Sequence, residues 1–262
     1  MEFFFQPDWF NRPGPYAFTL EHFMFILLAI LIGVGLSLLL RKKSKRTIRI
    51  VLICLWALAV SVEVIYYIVI WTRCAIDQEY TFKIDKMLPF HSCLMFMYIF
   101  PIAIFAKNKI IYKMANNFMV IVNMIIGFIT LFVGCPGDGY SVFSYQGMTT
   151  LVYHALIFIV PLIMVITNYY DLEKYDFKYG LAMFGILSVA MWTFDAIARC
   201  DYFYFYDGHT FPVFKFMSEN VPHIVWTLIV VSCYVITAIT THFLIYGIKY
   251  YILRRKQKEK QQ

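Results

Sequence analysis

Charged residues are scarce in this sequence. Asp, Glu, Lys and Arg make up 15% of its 262 residues, whereas a soluble domain contains about 25%. Long polar stretches are equally rare, and the longest cover residues 1–19, 200–221 and 249–262. These shortages exclude a soluble domain of useful size. Hydrophobic residues instead make up 61% of the chain and aromatic residues 19%. The composition therefore predicts a polytopic helical membrane protein.

The motifs of common nucleotide-binding and hydrolytic sites are also missing. The sequence has no Walker loop, no dinucleotide fingerprint and no Gly-x-Ser-x-Gly elbow. His91, Cys93 and His154 could together supply metal-binding atoms, but the spacings typical of a metal site are lacking. We therefore expect no cofactor and no metal. The basic residues are sorted by position along the chain, which indicates membrane sidedness and not nucleic-acid binding.

Seven apolar stretches are long enough to cross a membrane. A helix needs about 20 apolar residues to span the hydrocarbon core of a bilayer. We predict an all-α, seven-transmembrane-helix bundle that forms one integral membrane domain over residues 1–262, with a basic tail at 249–262. The predicted spans are residues 20–40, 48–71, 87–106, 117–133, 148–167, 179–199 and 222–248.

The Lys and Arg residues predict the orientation of the bundle. Segments 41–49, 107–113, 174–178 and 249–260 contain 17 of the 23 basic residues and fall on one side of the membrane. Basic residues collect on the cytoplasmic side of short loops. We therefore predict an external N-terminus, a cytoplasmic C-terminus and a location in the plasma membrane. Seven spans do not form two equal inverted halves, which argues against the commonest transporter architectures.

Polar residues inside the predicted spans fall at a shared depth. At a rise of about 1.5 Å per residue, Cys93 and His154 each lie about 9 Å below the outer boundary. A titratable group in hydrocarbon is costly, rare and usually functional. The predicted site therefore gathers the polar residues of the outer half of the bundle, three of them catalytic (His91, Cys93, His154) and four substrate-binding (His22, Glu63, Asp195, His223).

Cys93 and His154 are the predicted nucleophile and base. A thiol becomes a good nucleophile when a neighbouring imidazole takes its proton. In a regular helix His91 would point about 200° away from Cys93, so we expect it to orient a substrate or His154. Asp195 and Arg199 are four residues apart on one helix face, and the simplest expectation is that they pair with each other.

Glu63 and three cysteines leave alternatives open. Glu63 has no partner within its own helix, so it needs one from another span or stays protonated. Cys74, Cys135 and Cys200 fall near the outer surface, where one disulfide among them could form in an oxidising exterior.

The segment Leu88-Pro89-Phe90-His91-Ser92-Cys93 resembles a family signature that reads roughly Leu-Pro-Leu-His-Leu-Cys at the outer start of the third span. The family comprises the bacterial YwaF-like membrane proteins and their animal relatives, the transmembrane protein 164 family. Two residues depart from its pattern, because Ser92 and Asp201 stand where Leu and Asn are usual. The other matching segments are His22 at the opening of the first span, Tyr153-His154-Ala155, Asp201-Tyr202-Phe203-Tyr204 and Pro222-His223.

The resemblance implies an acyltransferase that moves fatty acyl chains between membrane phospholipids. Carried onto this sequence, it makes Cys93 the nucleophile and His154 its base. The first hypothesis is thus a lipid acyltransferase or lipid hydrolase, in which Ser92 or Asn123 could help to hold the oxyanion. We expect phospholipid as the partner.

Two other functions remain open. A proton-coupled small-molecule transporter could use Glu63, His154 and Asp195 as a relay. The inner halves of the spans, however, read as almost purely apolar apart from Asn123, which argues against a path to the inner face. The third possibility is a non-catalytic membrane protein that binds an outer ligand in the same pocket.

Overall fold

The computed structural model of the protein describes residues 18–76, 88–133, 141–206 and 212–259. Throughout these ranges the regular structure is helical. The all-α prediction is therefore confirmed, and the chain is a multi-pass membrane protein. Its helices are α1 (Leu20–Leu40), α2 (Lys45–Ile76), α3 (Met95–Phe105), α4 (Lys109–Val133), α5 (Tyr145–Ile166), α6 (Phe177–Ala198), α7 (Pro212–Asn220) and α8 (His223–Glu259).

Among the described residues, six helices are long and apolar enough to cross a membrane, namely α1, α2, α4, α5, α6 and α8. The predicted count of seven is not confirmed, because only a short apolar helical stretch is found within the third predicted span, residues 87–106. It consists of a 3-residue 3₁₀ turn, Ser92–Leu94, followed by the 11 residues of α3. Together these reach about 21 Å, whereas the hydrocarbon core is about 30 Å thick.

Other helix bounds also differ from prediction. α2 extends beyond the predicted 48–71 at both ends, and α8 continues to Glu259, so most of the predicted basic tail is helical. α4 begins at Lys109, eight residues before the predicted start at 117. The side chain of Asn108 caps this helix by accepting hydrogen bonds from two first-turn amides, at 2.9 and 3.2 Å. Such a cap satisfies amides that a helix start otherwise leaves unpaired.

Successive helices run in opposite directions through the bundle. We call the end where α1 begins at Leu20 the upper end, and the end where α1 finishes at Leu40 the lower end. At the upper end His22 Nε2 lies 2.9 Å from the carbonyl oxygen of Leu131, near the end of α4. At the lower end Arg49, in the first turns of α2, donates to the carbonyl of Ile104 at 3.3 Å. The predicted assignment of the upper end to the outside stays a prediction.

α4 and α5 form the centre of the bundle. In their most apolar stretches 56% and 61% of residues are buried, against 22–28% in the other four spanning helices. The two helices approach closely at Gly127, where a Cβ would lie 2.8 Å from Ile157 Cγ1 and 3.0 Å from the amide nitrogen of Phe158. Small residues permit such close helix contacts in membranes.

The middle of α4 is a π-helical segment, Phe118–Asn123, in which all six residues are buried. It packs against α3, α5, α6 and α8. π-helical turns are rare and frequently occur at functional sites. Along α4, this segment lies between the lower end and the centre of the bundle.

Candidate functional site

The predicted signature segment forms an irregular stretch of chain at membrane depth. Residues 88–91 are not helical, and His91 has an extended ψ of 149° before the 3₁₀ turn begins. Pro89 disfavours helical geometry at Leu88. Cys93 lies 12 residues above the lower end of α3 at Phe105, which places it about 18 Å from that end. A position of this segment below the upper membrane boundary agrees with the depth that the sequence predicts and stays a prediction.

Backbone groups outside regular structure must find partners when they lie at membrane depth. Here a set of side chains supplies them, and we call Tyr67, Tyr98, Tyr153, Tyr202 and Tyr234 the tyrosine cluster. Three of its hydroxyls donate to backbone carbonyl oxygens: Tyr67 to Leu88 at 3.3 Å, Tyr98 to Pro89 at 3.1 Å and Tyr153 to Cys93 at 3.4 Å.

The remaining two tyrosines of the cluster also form hydrogen bonds with the irregular segment. The Tyr202 hydroxyl accepts a hydrogen bond from the Leu88 amide at 3.0 Å. The Tyr234 hydroxyl donates to Ser92 Oγ at 3.2 Å. The tyrosine cluster thus ties residues 88–93 to α2, α5, α8 and the loop after α6. The sequence interpretation missed these residues, although a chain with 20 tyrosines offered the signal.

Cys93 lies half-buried within the tyrosine cluster. It interacts electrostatically with the hydroxyls of Tyr67, Tyr153 and Tyr234. Tyrosine side chains of α2, α5 and α8 are therefore neighbours of Cys93.

The Glu63 carboxyl lies in the same neighbourhood. It sits one turn below Tyr67 on the inward face of α2, is only 8% exposed, and interacts electrostatically with the hydroxyls of Tyr67 and Tyr153. None of the described residues forms a hydrogen bond or an ion pair with it. A buried carboxyl at membrane depth without such a partner is typical of a functional position. Glu63 and Cys93 thus share two tyrosine neighbours, and the predicted common site for the two residues stays a prediction.

His154 occupies the next position after Tyr153 on α5 and is also buried. Its Nδ1 lies 2.7 Å from the carbonyl oxygen of Thr150. A carbonyl can only accept, so Nδ1 carries the proton and Nε2 keeps a lone pair. No described hydrogen bond joins His154 to Cys93, and their pairing as base and nucleophile stays a prediction.

His91 and His223 contact aromatic rings near the upper end. The His91 ring meets the Tyr202 ring edge-on, with centroids 4.8 Å apart. The His223 ring stacks on Tyr206 at 4.4 Å, and the residue is exposed at the start of α8. Of the two residues, His223 is exposed and His91 is half-buried.

His22 and Asp195 bond within the protein. His22 is fully buried, its Nε2 contacts Leu131, and its Nδ1 accepts from the Phe18 amide at 3.1 Å. Both ring nitrogens are used, which favours a structural role in joining α1 to α4 over the predicted ligand contact.

The sequence suggested that Asp195 pairs with Arg199. In the structure Asp195 is 1% exposed and does not pair with that residue. Its carboxylate accepts instead from the Cys200 thiol at 3.3 Å and the Tyr202 amide at 3.1 Å. The reason is that α6 ends there: Arg199 adopts a left-handed φ of 54°, and the chain turns back over the carboxylate. This turn positions Tyr202 against Leu88 and His91. Because Cys200 is a thiol, no disulfide joins it to Cys74; Cys135 lies outside the described residues, so a disulfide that includes Cys135 stays a prediction.

The lower end holds a buried polar cluster that the sequence interpretation missed. Lys113 Nζ lies 3.0 Å from Asp176 Oδ1, and the Tyr170 hydroxyl donates to Asp176 Oδ2 at 3.0 Å. Asn117 Nδ2 donates to the Tyr170 hydroxyl at 2.6 Å. Burial and the adjacent Asp176 carboxylate raise the pKa of Tyr170 above its usual range, so Tyr170 keeps its proton and donates. The expectation of almost purely apolar inner halves is wrong, because α4 begins early and carries Asn117 inward.

His242 on α8 was also missed. It is fully buried near the lower end, and its Nε2 lies 2.9 Å from the carbonyl oxygen of Lys174. This contact requires a proton on Nε2. His242 therefore anchors α8 to the loop before α6. Within the described ranges, no group of three or more His, Cys, Asp or Glu side chains is placed to hold a metal ion.

Comparison with known proteins identifies the family of the chain. No curated protein and no solved structure matches the chain. The model of the TMEM164 family matches residues 17–246, which include the irregular segment and every predicted site residue. This match covers most of the sequence, and the chain therefore belongs to the TMEM164 family.

Proposed function

We propose that the protein is a membrane-embedded, thiol-dependent lipid acyltransferase or lipid hydrolase with Cys93 as its nucleophile. The observation that supports this most is the placement of Cys93 in a short 3₁₀ turn directly after the non-helical residues 88–91, a segment that the tyrosine cluster holds. Irregular backbone is tolerated at membrane depth only where it is buried in protein or lines a polar cavity. A merely structural cysteine does not require this arrangement.

In the proposed reaction the Cys93 sulfur attacks the ester carbonyl of a phospholipid. A bond forms between sulfur and the acyl carbon, and the bond between that carbon and the lipid oxygen breaks. His154 takes the thiol proton and returns it to the departing alcohol. An acceptor alcohol or water then attacks the thioester, the carbon–sulfur bond breaks, and the thiol is restored.

His154 suits the role of base because of its bonding to Thr150. The Nδ1 proton is held by that carbonyl, so the lone pair of Nε2 is the one available to take a proton. Catalytic hydrogen bonds often tighten only when substrate binds. The proposal therefore places the Cys93–His154 contact in the substrate complex.

The expected substrate is a phospholipid of the leaflet at the upper end. Glycerol esters lie just below the headgroups, which is the depth that we propose for the irregular segment. His91 and His223, on the upper side of Cys93, are the proposed headgroup contacts, and the basic loops at the lower end are proposed to face the cytoplasm of a plasma-membrane protein.

The test is an acyl-exchange assay in reconstituted vesicles. Purified protein is incorporated into vesicles of phospholipid with an isotope-labelled lysophospholipid acceptor, and mass spectrometry follows labelled diacyl lipid and released fatty acid. Cys93→Ala should abolish both products. Cys54→Ala and Cys233→Ala are matched controls, because these exposed cysteines lie far from the segment in sequence and should leave turnover intact. Turnover that persists in Cys93→Ala would remove the proposed mechanism.

Proton-coupled transport remains the second candidate. It is favoured by the buried Glu63 carboxyl and by the buried polar groups in the lower half of α4 and in the loop before α6. In that case Glu63, and not Cys93, would be essential for the activity. The comparison of Glu63→Gln with Cys93→Ala therefore separates the two functions.

A further inference from the structure

A basic cavity lies at the lower end, where two membrane-spanning helices begin side by side. α4 begins at Lys109 and α6 at Phe177, and the lower parts of the two helices pack together. A surface cavity of about 380 Å³ opens beside this contact. Its lining comes from the starts of α4 and α6 and from the loop before α6, and it consists of three lysines, two carboxylates and two tyrosines. Since spanning helices end close to the lipid headgroups, we expect the cavity to face the headgroups of the leaflet at the lower end.

One of the three lysines is held in place by both carboxylates. Lys113 Nζ lies 3.0 Å from Glu173 Oε2 and 3.0 Å from Asp176 Oδ1. The side chain of Lys113 is 16% exposed, and that of Asp176 is 3% exposed. Asp176 is itself fixed, because its other oxygen accepts from the Tyr170 hydroxyl at 3.0 Å and from the Glu173 amide at 3.1 Å. Lys113 is therefore a preorganised cation, and it engages both acidic groups of the lining.

The other two lysines, Lys174 and Lys178, are left without an acidic partner. Both side chains are exposed, and in the part of the chain that the structure describes neither forms an ion pair. Lys178 Nζ lies instead 5.3 Å from the centroid of the Tyr179 ring. Three positive charges against two negative ones leave the lining with one positive charge in excess. The electrostatics of the cavity therefore favour an anionic ligand.

The position of the cavity indicates which anion it would meet. Basic pockets between spanning helices at the cytoplasmic surface bind the phosphate-bearing headgroups of lipids. The lower end is the one that we propose to face the cytoplasm. Tyrosine rings are enriched at membrane interfaces, in keeping with the two tyrosines of the lining.

We propose that this cavity binds the phosphate group of an anionic phospholipid from the leaflet at the lower end. Lys174 and Lys178 would contact the phosphate directly, and Lys113 would act as a fixed cation beside them. The site goes beyond the proposed function. The lipid would be held there and not turned over, because Cys93 lies about 18 Å above the lower end of α3.

A lipid in this cavity would join the starts of α4 and α6 to the loop before α6. A ligand that binds only the folded state raises its stability by an amount that grows with the ligand concentration. At ten times its Kd, such a lipid should raise the Tm by about 4 °C.

Thermal unfolding of the full chain in detergent micelles tests the proposal. The Tm is measured with added phosphatidylcholine and with added phosphatidylglycerol, which has the same acyl chains and an anionic headgroup. The wild type should gain Tm in phosphatidylglycerol relative to phosphatidylcholine, and Lys174→Gln/Lys178→Gln should lose most of this gain. The matched control is Lys42→Gln/Lys43→Gln, which removes two exposed lysines outside the cavity lining and should keep the gain. A gain that is the same in both double variants would overturn the proposal.

A soluble phosphate ester separates the two possible sources of the phosphate group. Glycerol 3-phosphate carries the phosphate without acyl chains, and at the same concentration it should leave the Tm of the wild type unchanged. The reason is that the acyl chains concentrate the lipid in the micelle beside the protein. A gain equal to that in phosphatidylglycerol would overturn the assignment of the cavity to a lipid.

Native mass spectrometry of the wild-type protein gives a second measurement, which decides the matter if Lys174→Gln/Lys178→Gln does not fold. From micelles that contain the two lipids in equal amounts, the protein should retain phosphatidylglycerol in about tenfold excess over phosphatidylcholine. Equal retention of the two lipids would overturn the proposal. Neither measurement depends on lipid turnover, so the lower-end lipid site and the proposed function can fail separately.

Discussion

The indole nitrogen of Trp56 donates a hydrogen bond to the carbonyl oxygen of Met97 at 3.1 Å. Met97 is four residues before Pro101, which lies inside α3 and has no amide proton to offer that carbonyl. Trp56 therefore supplies from α2 the donor that the proline removes. The same tryptophan stacks on Phe100 at 5.9 Å, so it joins α2 to α3 at the foot of the candidate site.

This relationship predicts a coupled effect on stability. Trp56→Phe keeps an aromatic ring against Phe100 but leaves the Met97 carbonyl unpaired, which should cost about 1–3 kcal/mol. Thermal unfolding in detergent measures the loss. In a Pro101→Ala background the helix regains its own donor, and the same Trp56→Phe change should cost markedly less. Equal costs in the two backgrounds would show that the indole contributes through packing alone.

The tyrosine cluster should control the reactivity of Cys93. Tyr153→Phe removes the hydroxyl that bonds to the Cys93 carbonyl and should lower lipid turnover at least tenfold, because the loss of that bond loosens the Cys93 backbone. The acyl-exchange assay measures the effect. Tyr175→Phe, an exposed change at the lower end, serves as the control and should leave turnover unchanged. Unaltered turnover in Tyr153→Phe would mean that the cluster only supports the fold.

The lower-end ion pair should matter for stability. Asp176→Asn removes the buried carboxylate that pairs with Lys113 and weakens the hydrogen-bond acceptor for Tyr170. We expect the free energy of unfolding to fall by about 3 kcal/mol. Glu173→Gln removes the other partner of Lys113, but this side chain is 69% exposed, so its loss should cost at most about 1 kcal/mol. Unfolding transitions of the two variants under identical conditions test the difference. Similar transitions would contradict a buried role for Asp176.

Glu63 separates the two candidate functions. If the protein is a thiol enzyme, Glu63→Gln keeps the shape of the side chain and should reduce lipid turnover by less than Cys93→Ala does. If it is an ion-coupled transporter, Glu63→Gln should abolish the activity while Cys93→Ala leaves it intact. Measurement of lipid products and of proton flux in the same vesicles distinguishes these outcomes.

The membrane-spanning helices could be predicted largely because their signal is local. An apolar run of about 20 residues has few alternatives to a spanning helix, and α1, α5 and α6 fall close to their predicted ranges. The third span was predicted too long because hydropathy does not report backbone conformation. Leu88 and Phe90 are apolar, but Pro89 and the extended His91 keep the chain from forming a helix there.

The candidate site was predicted in part. Their predicted depth related Glu63 to Cys93, and in the structure both residues have Tyr67 and Tyr153 as neighbours. Depth could not reveal the tyrosine cluster, since its members come from separate elements and their hydroxyls meet the segment only in the folded bundle. Nor could it show that Asp195 caps the end of α6, because that depends on the left-handed turn at Arg199. Such partners are set by tertiary packing and not by spacing along the chain.

The most direct test of the central claim is labelling of the protein in intact membranes with a thiol-reactive acyl-lipid probe. The wild type is compared with Cys93→Ala, His154→Ala and the control Cys233→Ala, and labelled peptides are mapped by mass spectrometry. We predict labelling at Cys93 that is retained in Cys233→Ala and falls at least tenfold in His154→Ala. If Cys93 is not labelled, or if its labelling is unchanged in His154→Ala, the thiol is not activated. Transport that depends on Glu63 would then be the favoured function.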